Sequence, residues 1–225
     1  MIFDQYDQIR IVNLPERTDR KREMDEELAK IGLLGNSKVQ YFSAIRMTEP
    51  GPFRRVGSHG NFLSQLTILE DALKRDQSVI IMEDDCQFTD DVRTFSQKAD
   101  TDILYGGGDI RSSVDGTFER ADITGSHFMG FSKNVLRDLV PFLRSLLDLQ
   151  TEIDPKIVES DFDPLVRPPI DGSYVWFRRY HPEYQTEFAN LAGQRASATD
   201  VGDRKWFDNV PILKGLANSA RRILR

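Results

Sequence analysis

The sequence is poor in the residue types that most directly mark secreted proteins and several enzyme classes. Its 225 residues include one cysteine, Cys86, which excludes an intrachain disulfide and fits a reducing compartment. Because Cys86 follows an apolar run, we expect it to pack in the core rather than act as a nucleophile. The three histidines, His59, His127 and His181, are scattered along the chain and predict no serine-type triad.

Several signatures are also missing. The sequence has no apolar run long enough to cross a bilayer, no leader with a basic start and an apolar centre, and no N-glycosylation sequon. A Walker A loop, a Gly-x-Ser-x-Gly elbow and a CxxC pair are absent as well. The formal net charge of -6 argues against a nucleic-acid partner, whose binding usually requires a basic surface. We therefore expect a globular protein of the cytoplasm.

The first elements predict an α/β fold. Residues 9–14 form a short β-branched strand, and Met24, Leu28 and Ile31 follow it at helical spacing before a second strand at 39–42. Such a strand–helix–strand start is typical of a parallel sheet. A chain of this length is most simply one main domain, which we place at residues 1–203.

Later segments follow the same rules. Hydrophobic spacing predicts helices at about 58–75 and after Ser132, and strands at 79–82, 102–105 and 126–131. A hairpin or excursion is expected at 114–123, and an irregular surface connection at 149–169. The sequence PPIDG at 168–172 predicts a rigid turn, and the aromatic sequence YVWFRRY at 174–180 predicts a strand.

Residues 204–225 form a basic, amphipathic C-terminal tail. Six basic residues accompany a single acid, Asp208, and the apolar residues can share one side of a helix. Such a helix can lie on an anionic membrane surface, as a peripheral contact with the inner membrane. It can equally cover the sheet as a terminal core helix.

The strongest functional signal is the sequence SVIIMEDDC at 78–86. Its apolar residues run directly into Glu83, Asp84 and Asp85, as in a strand buried on both faces of a sheet. The carboxyl ends of such strands are where ligands bind in open α/β sheets. Three adjacent acids require a nearby cation, either a divalent metal ion or arginine and lysine side chains. The alternative is a solvated acidic turn.

Two glycine-containing segments add candidate anion sites. The sequence GSHG at 57–60 lies at a predicted helix N-terminus, where free N–H groups favour phosphate, and follows Arg54 and Arg55. Residues 106–108 are three glycines that permit close approach by a ligand. The alternatives are a plain helix start and a mobile turn.

Together, the acidic run and the anion sites favour metal-assisted transfer from a nucleotide diphosphate donor. Cations would stabilise the leaving diphosphate in such a reaction, and a separate carboxylate would deprotonate the acceptor hydroxyl.

Five segments, in this order, resemble successive motifs of glycosyltransferase family 25, the bacterial lipooligosaccharide glycosyltransferases. They are IVNLPERTDR at 11–20, GSHGNFLSQ at 57–65, IIMEDD at 80–85, TGSHFMGFS at 124–132 and GQRASATD at 193–200. The resemblance implies a single GT-A-type, Rossmann-like domain with a mixed, mainly parallel sheet flanked by helices. It also implies transfer of a hexose, galactose or glucose, from a UDP-sugar to a glycan or glycolipid acceptor such as lipooligosaccharide or another surface polysaccharide.

The resemblance also implies roles for individual residues. The acidic run corresponds to the family's metal motif, with Asp85 as the direct ligand of Mn²⁺ or Mg²⁺, Glu83 on the metal and the donor, and Asp84 in the donor site. Family members often have histidine where this chain has Gln65. The other residues expected to contact the nucleotide and the donor are Asn13, Leu14, Arg17, Arg20, Ser58 and Ser64.

The catalytic base of the implied inverting reaction is assigned to Asp171, because the residue follows a rigid Pro-Pro turn late in the chain. Asp109 is the reserve candidate, and a simple turn-forming aspartate is the alternative for Asp171. Two other functions are weighed. A sugar-nucleotide pyrophosphorylase would normally place a glycine-rich loop where this chain has PERT at 15–18. A non-catalytic member that binds nucleotide-sugar or glycan is kept open by Gln65.

Overall fold

The computed structural model describes residues 1–112, 122–160 and 162–195, and a six-stranded sheet lies at their centre. Its strands are β1 (Gln8–Asn13), β2 (Val39–Ser43), β3 (Val79–Glu83), β5 (Ile103–Tyr105), β8 (Phe128–Phe131) and β9 (Thr186–Phe188). The strand order is β2-β1-β3-β8-β5-β9. β1 pairs in parallel with β2 and β3, and β5 with β9, whereas β8 runs antiparallel to β3 and β5. The predicted mixed, mainly parallel sheet is confirmed.

Two small antiparallel pairs accompany the central sheet in the part of the chain that the structure describes. β4 (Cys86–Phe88) pairs with β10 (Ala192–Gln194), and β6 (Asp109–Ser112) pairs with β7 (Asp122–Thr124). The second pair agrees with the hairpin expected near 114–123, whose tip at 113–121 lies outside the described residues.

Within the described residues, four helices cover the sheet: α1 (Thr18–Lys30), α2 (Val56–Lys74), α3 (Leu136–Ser145) and α4 (Ile170–Tyr180). Short 3₁₀ helices lie at Ile2–Gln5 and Asp90–Arg93. The helix predicted at about 58–75 agrees with α2 to within two residues, and the helical spacing of Met24 and Leu28 lies within α1. None of the helices in the described ranges combines the length and apolar character needed to cross a membrane.

The central strand separates two hydrophobic cores. Val79 and Ile81 pack with residues of α2, α3 and α4, whereas Ile80 and Met82 pack with residues of α1 and the N-terminal 3₁₀ helix. Successive side chains of a strand point to opposite faces, so β3 is buried on both. This confirms the double burial predicted for the run before the acids.

The turn predicted at 168–172 and the strand predicted at 174–180 are both wrong, because α4 begins at Ile170, directly after the two prolines, and continues to Tyr180. Pro169 occupies the position before the helix, where a proline costs no hydrogen bond, and Asp171 lies in the first turn, where the helix dipole favours an acid. Ile170, Tyr174 and Phe177 are buried at helical spacing. The aromatic residues suggested a strand by propensity, but packing against α2 and α3 decides for a helix.

The connection expected at 149–169 is irregular in its described residues but not confined to the surface. Arg167 is buried and donates to the carbonyl oxygens of Leu146, Asp148, Thr151 and Pro164. Its own N–H donates to the Pro52 oxygen at 2.7 Å, which ties this connection to the loop before α2. The tail at 204–225 and its expected membrane contact lie outside the described residues.

Candidate active site

A cavity of about 540 Å³ opens at the carboxyl ends of β1 and β3. Its wall combines the acidic run after β3, the first turn of α2, the residues before β8 and the first turn of α4. The position agrees with the general rule that ligands bind at this end of an open α/β sheet. Its polar and charged lining residues include Arg20, Arg46, Ser58, Asn61, Glu83, Asp84, Asp85, Ser126, His127, Asp171 and Gln194.

Asp84 is held by a cation and an amide from the β1–α1 side of the cavity. The Arg20 guanidinium lies 2.8 Å from Asp84 Oδ1, and Asn13 Nδ2 donates to Asp84 Oδ2 at 2.7 Å. Arg20, Asn13 and Asp84 are all buried. An arginine therefore offsets the charge of the middle acid, which was one of the two possibilities that the sequence left open.

Asp85 is less completely satisfied. Its Oδ2 accepts from Gln194 Nε2 at 3.2 Å and lies 3.6 Å from Arg20. Its Oδ1 is buried and has no hydrogen-bond partner in the part of the chain that the structure describes. Burial raises the pKa of Asp85, and the Arg20 charge opposes this rise. A buried carboxylate oxygen with no donor is costly unless a cation or a ligand completes its environment.

This orphaned oxygen fits the hard oxygen chemistry of Mn²⁺ and Mg²⁺. Within the described ranges, however, no three His, Cys, Asp or Glu residues are grouped so that they could hold a metal ion. A metal at Asp85 would therefore depend on further oxygens from a bound diphosphate, which is the usual situation of Mg²⁺ in phosphoryl chemistry.

Glu83 points to the opposite side from Asp84 and contacts no cation among the described residues. Its Oε1 accepts from Asn61 Nδ2 and from Ser126 Oγ, both at 3.1 Å. Removal from water, and secondarily the charge of Asp85, raises the pKa of Glu83 to about 7. Neutral dipoles hold this carboxylate, so its charge is offset much less than that of Asp84.

Asp171 also lines the cavity, in the first turn of α4. The backbone N–H of Gly125 donates to its Oδ2 at 3.1 Å, and that of Gly172 donates to its Oδ1 at 3.0 Å. Gly125 has a φ of +91°, which favours glycine there. The reserve candidate Asp109 is exposed on β6 and does not line the cavity.

The structure distributes the other predicted contact residues unevenly. Leu14 and Ser58 line the cavity, as Arg20 does, whereas Arg17 binds Asp19 at 3.1 Å and does not line it. Ser64 is buried inside α2, where it donates to the Gly60 oxygen at 2.7 Å and accepts from the Ile45 N–H at 2.8 Å. Ser64 thus fastens the loop after β2 onto α2.

Five polar or charged residues of the site were given no role from the sequence: Arg46, Asn61, Ser126, His127 and Gln194. All but Arg46 lie inside segments that resemble family motifs, which was the available signal. Their roles depend on long-range contacts, such as that of Gln194 with an aspartate 109 positions away. Residues 196–200 of the last motif lie outside the described residues.

Comparisons with known proteins leave the family open. No protein-family model matches the sequence, and no curated protein matches it. Among solved structures, a glycosyltransferase involved in the glycosylation of the major capsid of PBCV-1 is a weak structural neighbour, with a TM-score of 0.42 and 10% sequence identity. The match covers 81% of each chain. This likeness is too small to carry a functional assignment.

Proposed function

We propose that this protein is a metal-dependent glycosyltransferase of the family 25 type, with a GT-A-type domain. It moves a hexose, galactose or glucose, from a UDP-sugar to a glycan or glycolipid acceptor such as lipooligosaccharide. The observation that carries the proposal is the unpartnered buried oxygen of Asp85, in one cavity with Arg20, the first turn of α2 and Asp171. A diphosphate sugar with its metal ion would complete these groups.

The donor would be held by charges of both signs. Asp85 would bind Mn²⁺ or Mg²⁺, with Glu83 beside it on the donor, and the metal would neutralise charge on the leaving diphosphate. The first turn of α2 at Ser58 supplies positive character on the same wall, beside the Arg20 guanidinium that pairs with Asp84. The nucleotide would lie against the end of β1, formed by Asn13 and Leu14.

Asp171 is proposed as the base that deprotonates the acceptor hydroxyl in an inverting reaction. Its carboxylate lines the cavity and is fixed by two backbone N–H groups, which orient it for a substrate bound there. Asp109 is less suited because it lies outside the cavity wall. We further propose a cytoplasmic location, with the tail at 204–225 as a peripheral contact to the inner membrane.

The donor site is tested by calorimetric titration with UDP and a panel of UDP-hexoses, with and without Mn²⁺. We expect one UDP-hexose to bind in a metal-dependent manner and Asp85→Ala to abolish the metal dependence. Asp109→Ala is the matched control and should bind like the unmodified protein, because Asp109 lies away from the cavity. Failure of every UDP-sugar to bind under both conditions would refute the proposal.

The base is tested by turnover once an acceptor is found. Asp171→Asn should lower kcat at least about 100-fold while UDP-sugar binding is retained, since a general base contributes roughly 10²–10⁴ to the rate. Asp109→Asn should leave kcat unchanged. The reverse result would assign the base to Asp109.

A second candidate function is a member that binds nucleotide-sugar without turning it over. It is favoured by one observation, that the described residues hold no grouped set of three metal-type ligands. Binding of a UDP-sugar that is independent of Mn²⁺ and is accompanied by no transfer or hydrolysis would support this candidate.

A further inference from the structure

Behind the cavity wall lies a polar network in which both polar atoms of the Gln65 side chain are hydrogen-bonded. Gln65 is fully buried in α2, and its Nε2 donates to Asn61 Oδ1 and to Ser126 Oγ, both at 3.3 Å. Its Oε1 accepts from the hydroxyl of Tyr174 at 2.8 Å. Asn61 and Ser126 are also the two donors to Glu83 Oε1. Gln65 is therefore hydrogen-bonded to both groups that hold Glu83, and has no hydrogen bond to Glu83 itself within the described residues.

The direction of every hydrogen bond in this network follows from one fact. Glu83 Oε1 accepts both of its hydrogen bonds, so Ser126 donates its hydroxyl proton to Glu83 and its own oxygen is left to accept. Asn61 likewise points its amide nitrogen to Glu83 and its oxygen to Gln65. Gln65 must then present its nitrogen to both, which turns its oxygen towards Tyr174 as the last donor.

Among the natural side chains of this size, glutamine meets these demands best. The position needs two N–H donors on one atom and an acceptor on the other. Glutamate would present two acceptors to the oxygens of Asn61 and Ser126, and methionine would offer no donor at all. The directed network also leaves Glu83 Oε2 with no hydrogen bond from the described residues, and this oxygen belongs to a side chain on the cavity wall.

We propose that Gln65 is a positioning residue that orients Asn61 and Ser126, and through them aims the Glu83 carboxylate at the bound donor. Tyr174 fixes Gln65 in the orientation that this requires. The kinetic part of the inference rests on the proposed function, because it concerns how Glu83 meets a UDP-sugar. The structural part does not, since it concerns where the Glu83 carboxylate lies.

The test uses Gln65→Met, Gln65→Glu, Tyr174→Phe and the double variant Gln65→Met/Tyr174→Phe. Gln8→Met is the matched control, because Gln8 is a buried glutamine in β1 whose side-chain polar atoms make no hydrogen bond within the described residues. Crystal structures of the single variants should show the Glu83 carboxylate turned from its present position in Gln65→Met and Gln65→Glu. The control should leave it in place.

Kinetics with the UDP-sugar and its acceptor provide the second readout. We expect Gln65→Met to lower kcat by about 10-fold to 100-fold, the loss that follows when a reacting group is slightly misplaced. Tyr174→Phe should lower kcat by a smaller factor, and the double variant should be no worse than Gln65→Met, since both changes act through the same two donors. Gln8→Met should leave kcat and KM unchanged.

The outcomes separate the two proposals. If the unmodified protein neither binds nor turns over a UDP-sugar, the proposed function fails, and the positioning role is decided by the crystal structures alone. An unmoved Glu83 carboxylate in both Gln65 variants would overturn the positioning role, as would kcat losses that multiply in the double variant. If Gln65→Met does not fold, Tyr174→Phe still decides, because an unchanged kcat with an unchanged Glu83 would refute the role of the network.

Discussion

Asp84 and Glu83 are neighbours in the chain with the same chemistry, yet the fold treats them in opposite ways. Asp84 is neutralised by a buried arginine and an asparagine from the β1–α1 side. Glu83 is held by neutral donors from α2 and the segment before β8, and its pKa rises to about 7 through removal from water. These two acids are therefore different kinds of site. Asp84 belongs to a buried ion pair, whereas Glu83 is held by neutral donors alone.

The alternation of side chains along β3 causes the difference. Val79 and Ile81 face α2, so Glu83 faces α2, and Ile80 and Met82 face α1, so Asp84 faces Arg20. The strand ends at Glu83, and Asp85 leaves this alternation and lies near Arg20 and Gln194. Consecutive acids at the end of a strand therefore contact different partners, because their side chains point in different directions.

Removing the cation should have the largest effect on stability. Arg20→Met leaves Asp84 and Asp85 buried without their cation, and breaking a buried ion pair from one side typically costs about 3–5 kcal/mol. We expect a loss of this size in the free energy of unfolding, measured in urea. Arg75→Met is the matched control, because the Arg75–Asp71 pair is exposed and worth about 0.3–0.5 kcal/mol. Equal losses in the two variants would mean that Arg20 stabilises the buried acids no more than Arg75 stabilises an exposed one.

Neutralising the other acid should stabilise the protein, in a pH-dependent manner. Folding raises the pKa of Glu83 from 4.5 to about 7, so the folded state binds the proton more tightly and stability falls as pH rises through this interval. Glu83→Gln removes this loss and keeps an oxygen for Asn61 and Ser126. In metal-free buffer we expect its stability relative to the unmodified protein to rise between pH 4.5 and 7 by at most about 3 kcal/mol.

Chemical denaturation at pH 4.5 and pH 8 measures this difference. Glu49→Gln serves as the control, because Glu49 is exposed in the loop before α2 and should show no such dependence. A Glu83→Gln variant that is equally stabilised at both pH values would contradict the assigned cause.

The sequence predicts those elements of the fold that depend on a local hydrophobic pattern. The apolar run before Glu83 identified β3, and the periodicity of Leu66 and Leu69 identified α2, because each pattern is complete within one element. The sequence also predicted that arginine or lysine side chains, or a metal ion, would lie beside the acids. The identity of the arginine was not predicted, since Arg20 lies 64 positions from Asp84 and only the parallel pairing of β1 with β3 brings them together.

Other parts could not be read from local pattern. β4 and β10 have three residues each and exist by pairing with each other across about a hundred residues. The sequence 174–180 has the aromatic composition of a strand, and its helical state depends on burial against α2 and α3. The same long-range packing brings the Tyr174 hydroxyl to Gln65, so the network behind Glu83 was out of reach from the sequence.

The smallest expected effect concerns a single hydroxyl in the neutral half of the site. Ser126→Ala removes one of the two donors to Glu83 and one of the two acceptors of Gln65 Nε2, but each partner keeps its bond to Asn61. Because neither group is left wholly unpaired, we expect a loss of about 1 kcal/mol in the free energy of unfolding, at the low end for a buried hydrogen bond.

Ser58→Ala is the matched control for that variant. Ser58 lines the same cavity but its hydroxyl makes no hydrogen bond within the described residues, so its loss should stay within about 0.5 kcal/mol. Urea denaturation of both variants at pH 8 makes the comparison, because Glu83 is then ionised and needs its donors most. A loss above about 3 kcal/mol for Ser126→Ala would show that the neutral half depends on each donor as strongly as the charged half depends on Arg20. Asp84 and Glu83 would then differ in the type of partner that holds them, but not in how much that partner contributes to the free energy of unfolding.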